Sequence, residues 1–249
     1  MGGSGKTPVT IALAKQHEHS AIVLRGYGRA SSGTIVVSDG EKILVDVSTS
    51  GDEAMLLAKS LPKAFVIVAT NRKEGIIKAQ ELGAQVIWLD DGYSKHFIKK
   101  FDVLLEPATK AYLPFCLPAG PYREKLWKGK QALIVQEERD FAREVTVVDP
   151  TKKMLLITGI SKPWRLDPYL PDSVIEKVYF PDHYAFTKEE LDELVVKHQA
   201  TSILTTQKDA VKMESFGYKL SILDLSIKVD GTITKKIDNY IKENACKRK

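Results

Sequence analysis

Cysteine is scarce in this chain, which carries only two among 249 residues. Cys116 and Cys246 lie far apart in the sequence, so they predict neither a disulfide framework nor a zinc site. So few cysteines are typical of a protein in a reducing compartment. Long apolar runs are missing too: none approaches the roughly 20 residues that a membrane-spanning helix needs. Small disulfide-stabilised domains are therefore excluded, and no segment of the sequence is expected to span a membrane.

Neither sign of charge dominates, because 37 Lys and Arg stand against 32 Asp and Glu, a formal net charge of +5. This mild excess favours an anionic substrate or a membrane surface, although lysines dispersed over solvated helices would explain it equally well. Aromatic residues make up only 8% and form no stripe with basic residues, so nucleic-acid binding is not predicted. With 43% hydrophobic residues, the chain can build one large or two small globular domains.

Short apolar segments alternate with helical periodicity along the whole chain. Strands are predicted at 21–24, 65–69, 86–89, 103–105 and 133–135, with a hairpin formed by 34–38 and 43–47. Helices are predicted at 52–61, 73–82 and 188–197, and a second run of strands begins after residue 150. This alternation predicts an α/β fold with mainly parallel sheets covered by helices on both faces. The change near residue 150 predicts two lobes, 1–150 and 151–249.

The chain opens with a possible phosphate-binding loop, formed by Gly2, Gly3, Ser4, Gly5, Lys6 and Thr7. In the pattern G-x-x-x-x-G-K-[ST], successive backbone N–H groups surround a phosphate, the Lys reaches the β- and γ-phosphates, and the hydroxyl binds Mg²⁺. Pro8 suits the first turn of the helix that should follow. The first Gly of the pattern and its preceding strand would fall before Met1, so this match alone leaves a chance resemblance open.

Two carboxylates follow the apolar stretch V-I-W-L. In phosphate-loop enzymes such a strand places an aspartate beside the loop, where it holds Mg²⁺ directly or through water. Asp90 and Asp91 therefore become candidate metal ligands once the stretch is combined with the Gly5-Lys6-Thr7 match. Taken alone, Asp-Asp-Gly is also a common turn sequence.

Other polar positions admit two interpretations each. Arg25 and Arg29 in L-R-G-Y-G-R-A could bind phosphate at the end of a strand, or could be solvated side chains of a glycine-rich turn. Asp52 stands where a helix should begin, and so could simply stabilise the helix N-terminus. Asp182 and His183 follow a strand and could transfer a proton, bind a metal or serve a structural role.

Seven motifs in order resemble the tetraacyldisaccharide 4′-kinase family of Gram-negative bacteria. They are G-G-S-G-K-T-P, R-G-Y-G-R, G-D-E-A, L-D-D-G-Y, L-P-A-G-P-Y-R-E, F-P-D-H-Y-A-F and T-T-Q-K-D-A-V-K, and they span residues 1–212. The resemblance implies a phosphate-loop fold and ATP- and Mg²⁺-dependent phosphorylation of the 4′-hydroxyl of tetraacyldisaccharide 1-phosphate, the lipid A precursor that becomes lipid IVA. It also implies peripheral attachment to the cytoplasmic face of the inner membrane, with no obligate protein partner.

The resemblance also assigns roles to individual residues. Lys6 and Thr7 match the phosphate-loop lysine and the Mg²⁺-binding hydroxyl, while Asp52 matches the family's proposed catalytic base and His183 its partner. Asp90 and Asp91 match the carboxylates on the metal side. Arg123 and Glu124 match the pair that closes the P-A-G-P loop: Glu124 is expected at the metal, and Arg123 at the transferring phosphate or the acceptor's 1-phosphate. Arg25 and Arg29 are expected to bind the substrate.

Two departures limit what the resemblance implies. Relatives commonly read D-D-G-F-Q-H, whereas this chain has its histidine displaced by one place, so His96 receives no role. Ala54 stands where many relatives have proline. Family members usually carry an apolar, basic segment before the loop, so we expect this sequence to be N-terminally truncated. An alternative from another class is a partner-regulated ATPase switch, which would have a lysine before Gly2.

Overall fold

The computed structural model describes residues 5–106, 115–120, 122, 124, 126 and 129–245. The strands are β1 Ser20–Leu24, β2 Thr34–Asp39, β3 Phe65–Ala69, β4 Val86–Leu89, β5 Asp102–Glu106, β6 Ala132–Gln136, β7 Phe141–Val148, β8 Met154–Thr158, β9 Val174–Tyr179, β10 Ser202–Thr206 and β11 Leu220–Val229. The helices are α1 Lys6–Ala14, α2 Val47–Ser50, α3 Asp52–Ser60, α4 Arg72–Glu81, α5 Lys188–His198, α6 Gln207–Met213 and α7 Gly231–Ala245.

The first sheet has the strand order β2-β3-β1-β4. Strands β3 and β4 both pair in parallel with β1, and β2 adds an antiparallel edge. All five residues of β1 are buried because helices cover both faces of the sheet. Leu57 of α3 and Ala14 of α1 pack on one face against Ile22, whereas Ala79 of α4 packs on the other with Val23. A strand buried on both sides reads as a continuous apolar run, as S-A-I-V-L does.

The second sheet has the order β7-β11-β10-β8-β9, in which only the β7–β11 pairing is antiparallel. Leu191 of α5 and Met213 of α6 pack on one face, and Leu166 from a 3₁₀ segment packs near the other. A separate parallel pair, β5–β6, shares a hydrophobic cluster with α1 and α7. Through Val9 and Leu13, α1 also packs against β11, so this helix joins the two larger sheets.

The predicted α/β class with mainly parallel sheets is confirmed, and one element was predicted wrongly. The expected second hairpin arm, 43–47, forms a single bridge between Ser38 and Ile43 and is not a strand. Asp46 accepts a hydrogen bond from the Thr49 N–H at 2.7 Å and caps α2, so the chain turns into a helix at Val47.

Strand β7 lies before the predicted lobe boundary at residue 150, yet it hydrogen-bonds with β11 of the second sheet. The boundary itself stays a prediction. Within the described ranges, no helix is both long and apolar enough to cross a bilayer.

Candidate active site

The first helical turn of α1 brings a lysine to the end of β4. Gly5 caps the helix with a left-handed φ of 85°, a conformation that glycine adopts without a Cβ penalty, and its carbonyl accepts from the Val9 N–H at 3.1 Å. The Lys6 Nζ atom forms an ion pair with Asp91 Oδ1. Thr7 follows in the same turn, so the predicted metal-binding hydroxyl lies one residue from this contact. Gly2, Gly3 and Ser4 of the predicted loop lie outside the described residues.

The two aspartates after β4 occupy different environments. The Asp90 N–H donates to the Val23 carbonyl at 3.1 Å and continues the sheet, while Asp91 turns the chain with a φ of 50°. Burial, reinforced by the adjacent Asp91 carboxylate, raises the pKa of Asp90, and the Lys6 ammonium partly opposes this rise. The buried Arg72 guanidinium donates to the Asp90 carbonyl at 3.2 Å and fixes the same turn.

Asp52 is the first residue of α3 and is almost fully buried, with 7% of its surface exposed. Gly51 precedes it with a φ of 83° and is the N-cap residue, so capping is not the main role of the Asp52 side chain. Its only contact with the helix backbone is from the Glu53 N–H to Oδ1 at 2.9 Å, among the hydrogen bonds of the described residues. A buried carboxylate needs other partners, and these come from the second sheet.

His183 is the main partner of Asp52. Its Nδ1 atom lies 3.0 Å from Asp52 Oδ2 and 3.2 Å from Oδ1. The histidine sits after β9 with a left-handed φ of 62°, and its backbone N–H donates to the Gly159 carbonyl at 3.1 Å. The Tyr27 ring lies beside the imidazole at a centroid distance of 5.9 Å. Two loops that are distant in sequence therefore place these side chains in direct contact.

The electrostatic surroundings favour an ionised Asp52. Burial alone would raise the pKa of this carboxyl, but the hydrogen bond from His183 and the nearby lysines lower it below its ordinary value. Lys208 Nζ lies 3.6 Å and Lys212 Nζ 4.0 Å from Asp52 Oδ2. The hydrogen bond to Asp52 raises the pKa of His183, and burial and Lys208 oppose that rise.

Glu53 connects this pair electrostatically with the aspartates beside the phosphate loop. Burial, and next repulsion from Asp90, raise the pKa of Glu53, which also interacts with Asp52 and His183. The Asp52–His183 pair and the Lys6–Asp91 pair therefore belong to one region at the ends of the first sheet's strands. Such an edge is where open α/β sheets bind their ligands.

The remaining predicted residues are less closely associated with this region. The Arg29 guanidinium donates to the Gly33 carbonyl at 2.5 Å and to Ser31 Oγ at 3.3 Å, so it holds its own loop together. Arg25, in the same turn, is exposed. Glu124 Oε2 lies 3.8 Å from His96 Nε2. Arg123 falls outside the described residues.

Metal binding has fewer candidate ligands than the sequence predicted. Among the described residues, no group of three or more His, Cys, Asp or Glu side chains is close enough to hold a metal ion. Asp90 and Asp91 are two adjacent carboxylates, and burial, followed by repulsion from Asp91, raises the pKa of Asp90. Together with the hydroxyl of Thr7 they offer oxygen ligands, the type that Mg²⁺ prefers.

Two functional candidates were missed at the level of sequence. Lys208 and Lys212 belong to the T-T-Q-K-D-A-V-K motif, which contributed to the family resemblance without any role for its lysines. Their spacing of four places both ammonium groups on one side of α6, facing Asp52. That spacing was the available signal, but the identity of the carboxylate opposite could only come from the three-dimensional structure.

Known proteins agree on one family. A family model described as "Tetraacyldisaccharide-1-P 4'-kinase" matches residues 1–245. A tetraacyldisaccharide 4′-kinase of Aliarcobacter butzleri is 49% identical over 250 residues, covering 97% of this chain and 79% of the relative. The enzyme of the same name from Helicobacter acinonychis is 46% identical, covering 96% and 77%, and that of Campylobacter jejuni is 44% identical, covering 97% and 78%.

A solved structure extends the agreement to the fold. The chain resembles a crystal structure of LpxK from Aquifex aeolicus in complex with ATP, with a TM-score of 0.72 over 96% of this chain and 85% of that one. At 24% identity this likeness concerns the fold alone. The family match and the relatives carry the assignment further, and on their strength the chain belongs to the tetraacyldisaccharide-1-phosphate 4′-kinase family.

Proposed function

We propose that this chain transfers the γ-phosphate of ATP to the 4′-hydroxyl of tetraacyldisaccharide 1-phosphate, giving lipid IVA. Family membership supplies the reaction, and the buried Asp52 carboxylate in contact with His183 is the observation that carries its mechanism. The alternative of a partner-regulated ATPase switch has no comparable support, because such a switch needs no base for a sugar hydroxyl.

Phosphoryl transfer proceeds through a loose transition state, so catalysis depends mainly on positioning and on neutralising charge. Lys6, at the start of α1, is the cation that neutralises the transferring phosphate, and it exchanges its contact with Asp91 for the phosphate oxygens. Asp52 accepts the proton of the 4′-hydroxyl. It suits this role because it is ionised in its buried site and lies beside the phosphate region.

Mg²⁺ would be held by Thr7, Asp90 and Asp91, whose oxygen atoms fit its preference. When bound, it would neutralise negative charge on the β- and γ-phosphates. Glu124 remains a predicted further ligand. Its Oε2 atom is buried and has no hydrogen-bond partner among the described residues, so it could accept a contact.

The acceptor suggests where the reaction takes place. A disaccharide with four acyl chains partitions into a bilayer, so we place the enzyme at the cytoplasmic face of the inner membrane as a peripheral protein. Arg25, which is exposed, and Arg123 are proposed to bind the acceptor's 1-phosphate. Arg29 is proposed to shape the loop that carries Arg25, because its own guanidinium is engaged by backbone and hydroxyl oxygens.

The test is a kinase assay with γ-labelled ATP, Mg²⁺ and tetraacyldisaccharide 1-phosphate in detergent. The wild-type chain should label the acceptor, and an acceptor blocked at the 4′-hydroxyl should stay unlabelled. Asp52→Asn should lower kcat by at least about 100-fold with an unchanged melting temperature, since general-base catalysis contributes about 10²–10⁴-fold. Asp46→Asn is the matched control, because Asp46 is a helix cap and Asn caps about as well as Asp.

Two outcomes would contradict the proposal. Labelling of the blocked acceptor would mean that the 4′-hydroxyl is not the site of transfer. A mild loss of kcat in Asp52→Asn, accompanied by a lower melting temperature, would give Asp52 a purely structural role.

A further inference from the structure

Lys208 projects from α6 toward the Asp52–His183 pair, and the proposed reaction assigns no role to this lysine. Its Nζ atom lies 3.4 Å from His183 Nε2, 3.3 Å from Asp182 Oδ1 and 3.6 Å from Asp52 Oδ2. The side chain is 18% exposed, so its charge is only partly screened by water. One ammonium group thus lies within 3.6 Å of both the imidazole and the catalytic carboxylate, beside the ring.

This contact constrains the protonation of the imidazole. An ionised carboxylate can only accept hydrogen bonds, so the contact of Asp52 with Nδ1 places a proton on that nitrogen, and the nearby Lys208 ammonium favours a lone pair on Nε2. The remaining proton of a neutral imidazole then belongs to Nδ1, which faces Asp52. A doubly protonated His183 would instead direct an N–H toward the Lys208 ammonium, and this arrangement is repulsive.

We propose that Lys208 is a positioning residue of the reaction: it opposes the second protonation of His183 and so favours, at the pH of the reaction, the neutral tautomer that donates from Nδ1 to Asp52. The lone pairs of the Asp52 carboxylate that do not accept from His183 then remain free to accept from the acceptor hydroxyl. An ion pair with an imidazolium would make this carboxylate a weaker base. The inference rests on the proposed base role of Asp52, but its first test needs no turnover.

Several charges act on the imidazole, and Lys208 is the one in contact with Nε2 that opposes its protonation. Asp52 on α3 and Asp182 in the histidine's own loop favour the charged ring, as does Glu53 when ionised. Lys212 is farther along α6, where it donates to the Tyr184 carbonyl at 2.9 Å and forms an ion pair with Asp209 Oδ1 at 2.7 Å. The Tyr27 ring lies beside the imidazole, with its plane tilted by 51°.

The position of Lys208 is fixed by a buried carboxylate below it. Asp209, which is 0% exposed, accepts from Thr158 Oγ1 at 2.7 Å and from the Gly159 N–H at 3.0 Å. Gly159 in turn accepts from the His183 N–H. The helix that carries Lys208 and the loop that carries His183 are therefore tied to the same two residues at the end of β8.

The first test follows the imidazole nitrogens of His183 by ¹⁵N NMR across pH in the full chain, with His183→Gln used to assign the signals among the five histidines. The wild-type ring should show the neutral Nδ1–H form above its pKa. In Lys208→Met the pKa of His183 should rise by at least about half a pH unit, because a contacting positive charge is removed. Lys197 is an exposed lysine on α5, so Lys197→Met is the matched control and should leave the pKa of His183 unchanged.

The second test is the pH profile of kcat. In Lys208→Met the acidic limb should move to higher pH, so the loss of kcat relative to wild type should be several-fold larger at pH 6.5 than at pH 8.5. Lys208→Arg should restore most of the wild-type profile. A His183 pKa in Lys208→Met that matches wild type, or an Nε2–H tautomer in the wild-type chain, would overturn the proposal.

The two tests separate this inference from the proposed function. If Lys208→Met does not fold, Lys208→Gln is used for the same NMR comparison, since Gln keeps a polar side chain that can donate a hydrogen bond but carries no charge. A shifted His183 pKa in a chain that phosphorylates no acceptor would support the positioning role and overturn the proposed function.

Discussion

At the scale of single residues, the site consists of charges that are kept close together and partly out of water. Lys6 illustrates this, because its ammonium group is 38% exposed and pairs with Asp91. An exposed pair of this kind contributes little to folding stability. The Lys6 ammonium instead presents a positive charge next to the start of α1, where the helix dipole also favours the binding of an anion.

We expect Lys6→Ala to abolish measurable turnover, since it removes the charge directed at the transferring phosphate. The melting temperature should change by no more than about 2 °C, because the lost pair is exposed. Steady-state kinetics and thermal denaturation check the two expectations, with Lys15→Ala at the exposed C-terminal end of α1 as the control. Activity within tenfold of wild type would refute the phosphate-loop role.

At the scale of elements, Gly51 allows two segments to approach each other beside the catalytic aspartate. A Cβ atom on Gly51 would lie 3.1 Å from the Tyr27 carbonyl oxygen, and Gly51 also has a left-handed φ of 83°. This close approach brings the loop between β1 and β2 against the start of α3. Asp52 and the Tyr27 ring therefore reach His183 from adjoining segments.

Gly51→Ala should lower both stability and kcat, because the added methyl group pushes the start of α3 away from Tyr27. Gly33→Ala is the matched control: it has a similar φ of 72°, and nothing lies within 4 Å of the added atom. Both variants place a side chain at a positive φ, and Gly51, with a ψ of 155°, lies in a region that is essentially restricted to glycine. Only Gly51→Ala should also reduce kcat. If both variants reduced kcat equally, the contact between Gly51 and the Tyr27 loop would have no role in catalysis.

Asp209 has a comparable role in the second sheet, where it anchors α6 to the end of β8. Its carboxylate accepts from Thr158, Gly159 and Thr206 and pairs with Lys212. Asp209→Asn leaves the Lys212 charge without its buried partner, and breaking such a pair typically costs about 3–5 kcal/mol. Urea denaturation should register this loss, whereas Asp192→Asn on the exposed face of α5 should stay near wild type. A loss below about 1 kcal/mol for Asp209→Asn would contradict this anchoring role.

The elements that could be predicted from the sequence are those whose apolar runs follow directly from the burial of their side chains. The strands β1, β3 and β4 are short apolar runs, because helices cover both of their faces. Strand β7, F-A-R-E-V-T-V-V, escaped prediction because its side chains alternate between buried and exposed at the edge of a sheet, so it has no apolar run. Similarly, Asp52 and His183 could be paired only through the family resemblance, since no local pattern links positions that belong to different sheets.

At the scale of the whole molecule, the first and second sheets meet through both apolar and ionic contacts. Helix α1 packs against β11 through Val9 and Leu13. Lys59 of α3 forms an ion pair with Glu214, which follows α6. The Asp52–His183 pair joins the same two halves at the site itself.

This pair makes stability depend on pH in a defined way. The folded-state pKa of Asp52 is lowered, so its contribution is present above the ordinary Asp pKa and is lost as pH falls through the lowered value. The folded-state pKa of His183 is raised, so its contribution is complete below the ordinary value of about 6.5 and is lost as pH rises through the raised value.

We therefore expect the stability difference between wild type and His183→Gln to be larger at pH 5.5 than at pH 9. Urea denaturation at both pH values measures the difference, and His198→Gln at the end of α5 serves as the control. A difference that grows toward pH 9 would show that the pair does not stabilise the folded state as an ion pair.

The candidate active site combines residues from both halves of the sequence, and this has a consequence when homologous chains are recombined. Asp52 is encoded before β7, whereas His183 and Lys208 are encoded after it. A chimera with a crossover between β6 and β7 would combine one parent's carboxylate with the other parent's imidazole and ammonium groups. Their distances of 3.0–3.6 Å tolerate little displacement, so such hybrids should fold more readily than they catalyse. The two halves of this chain are therefore inherited most safely as one unit.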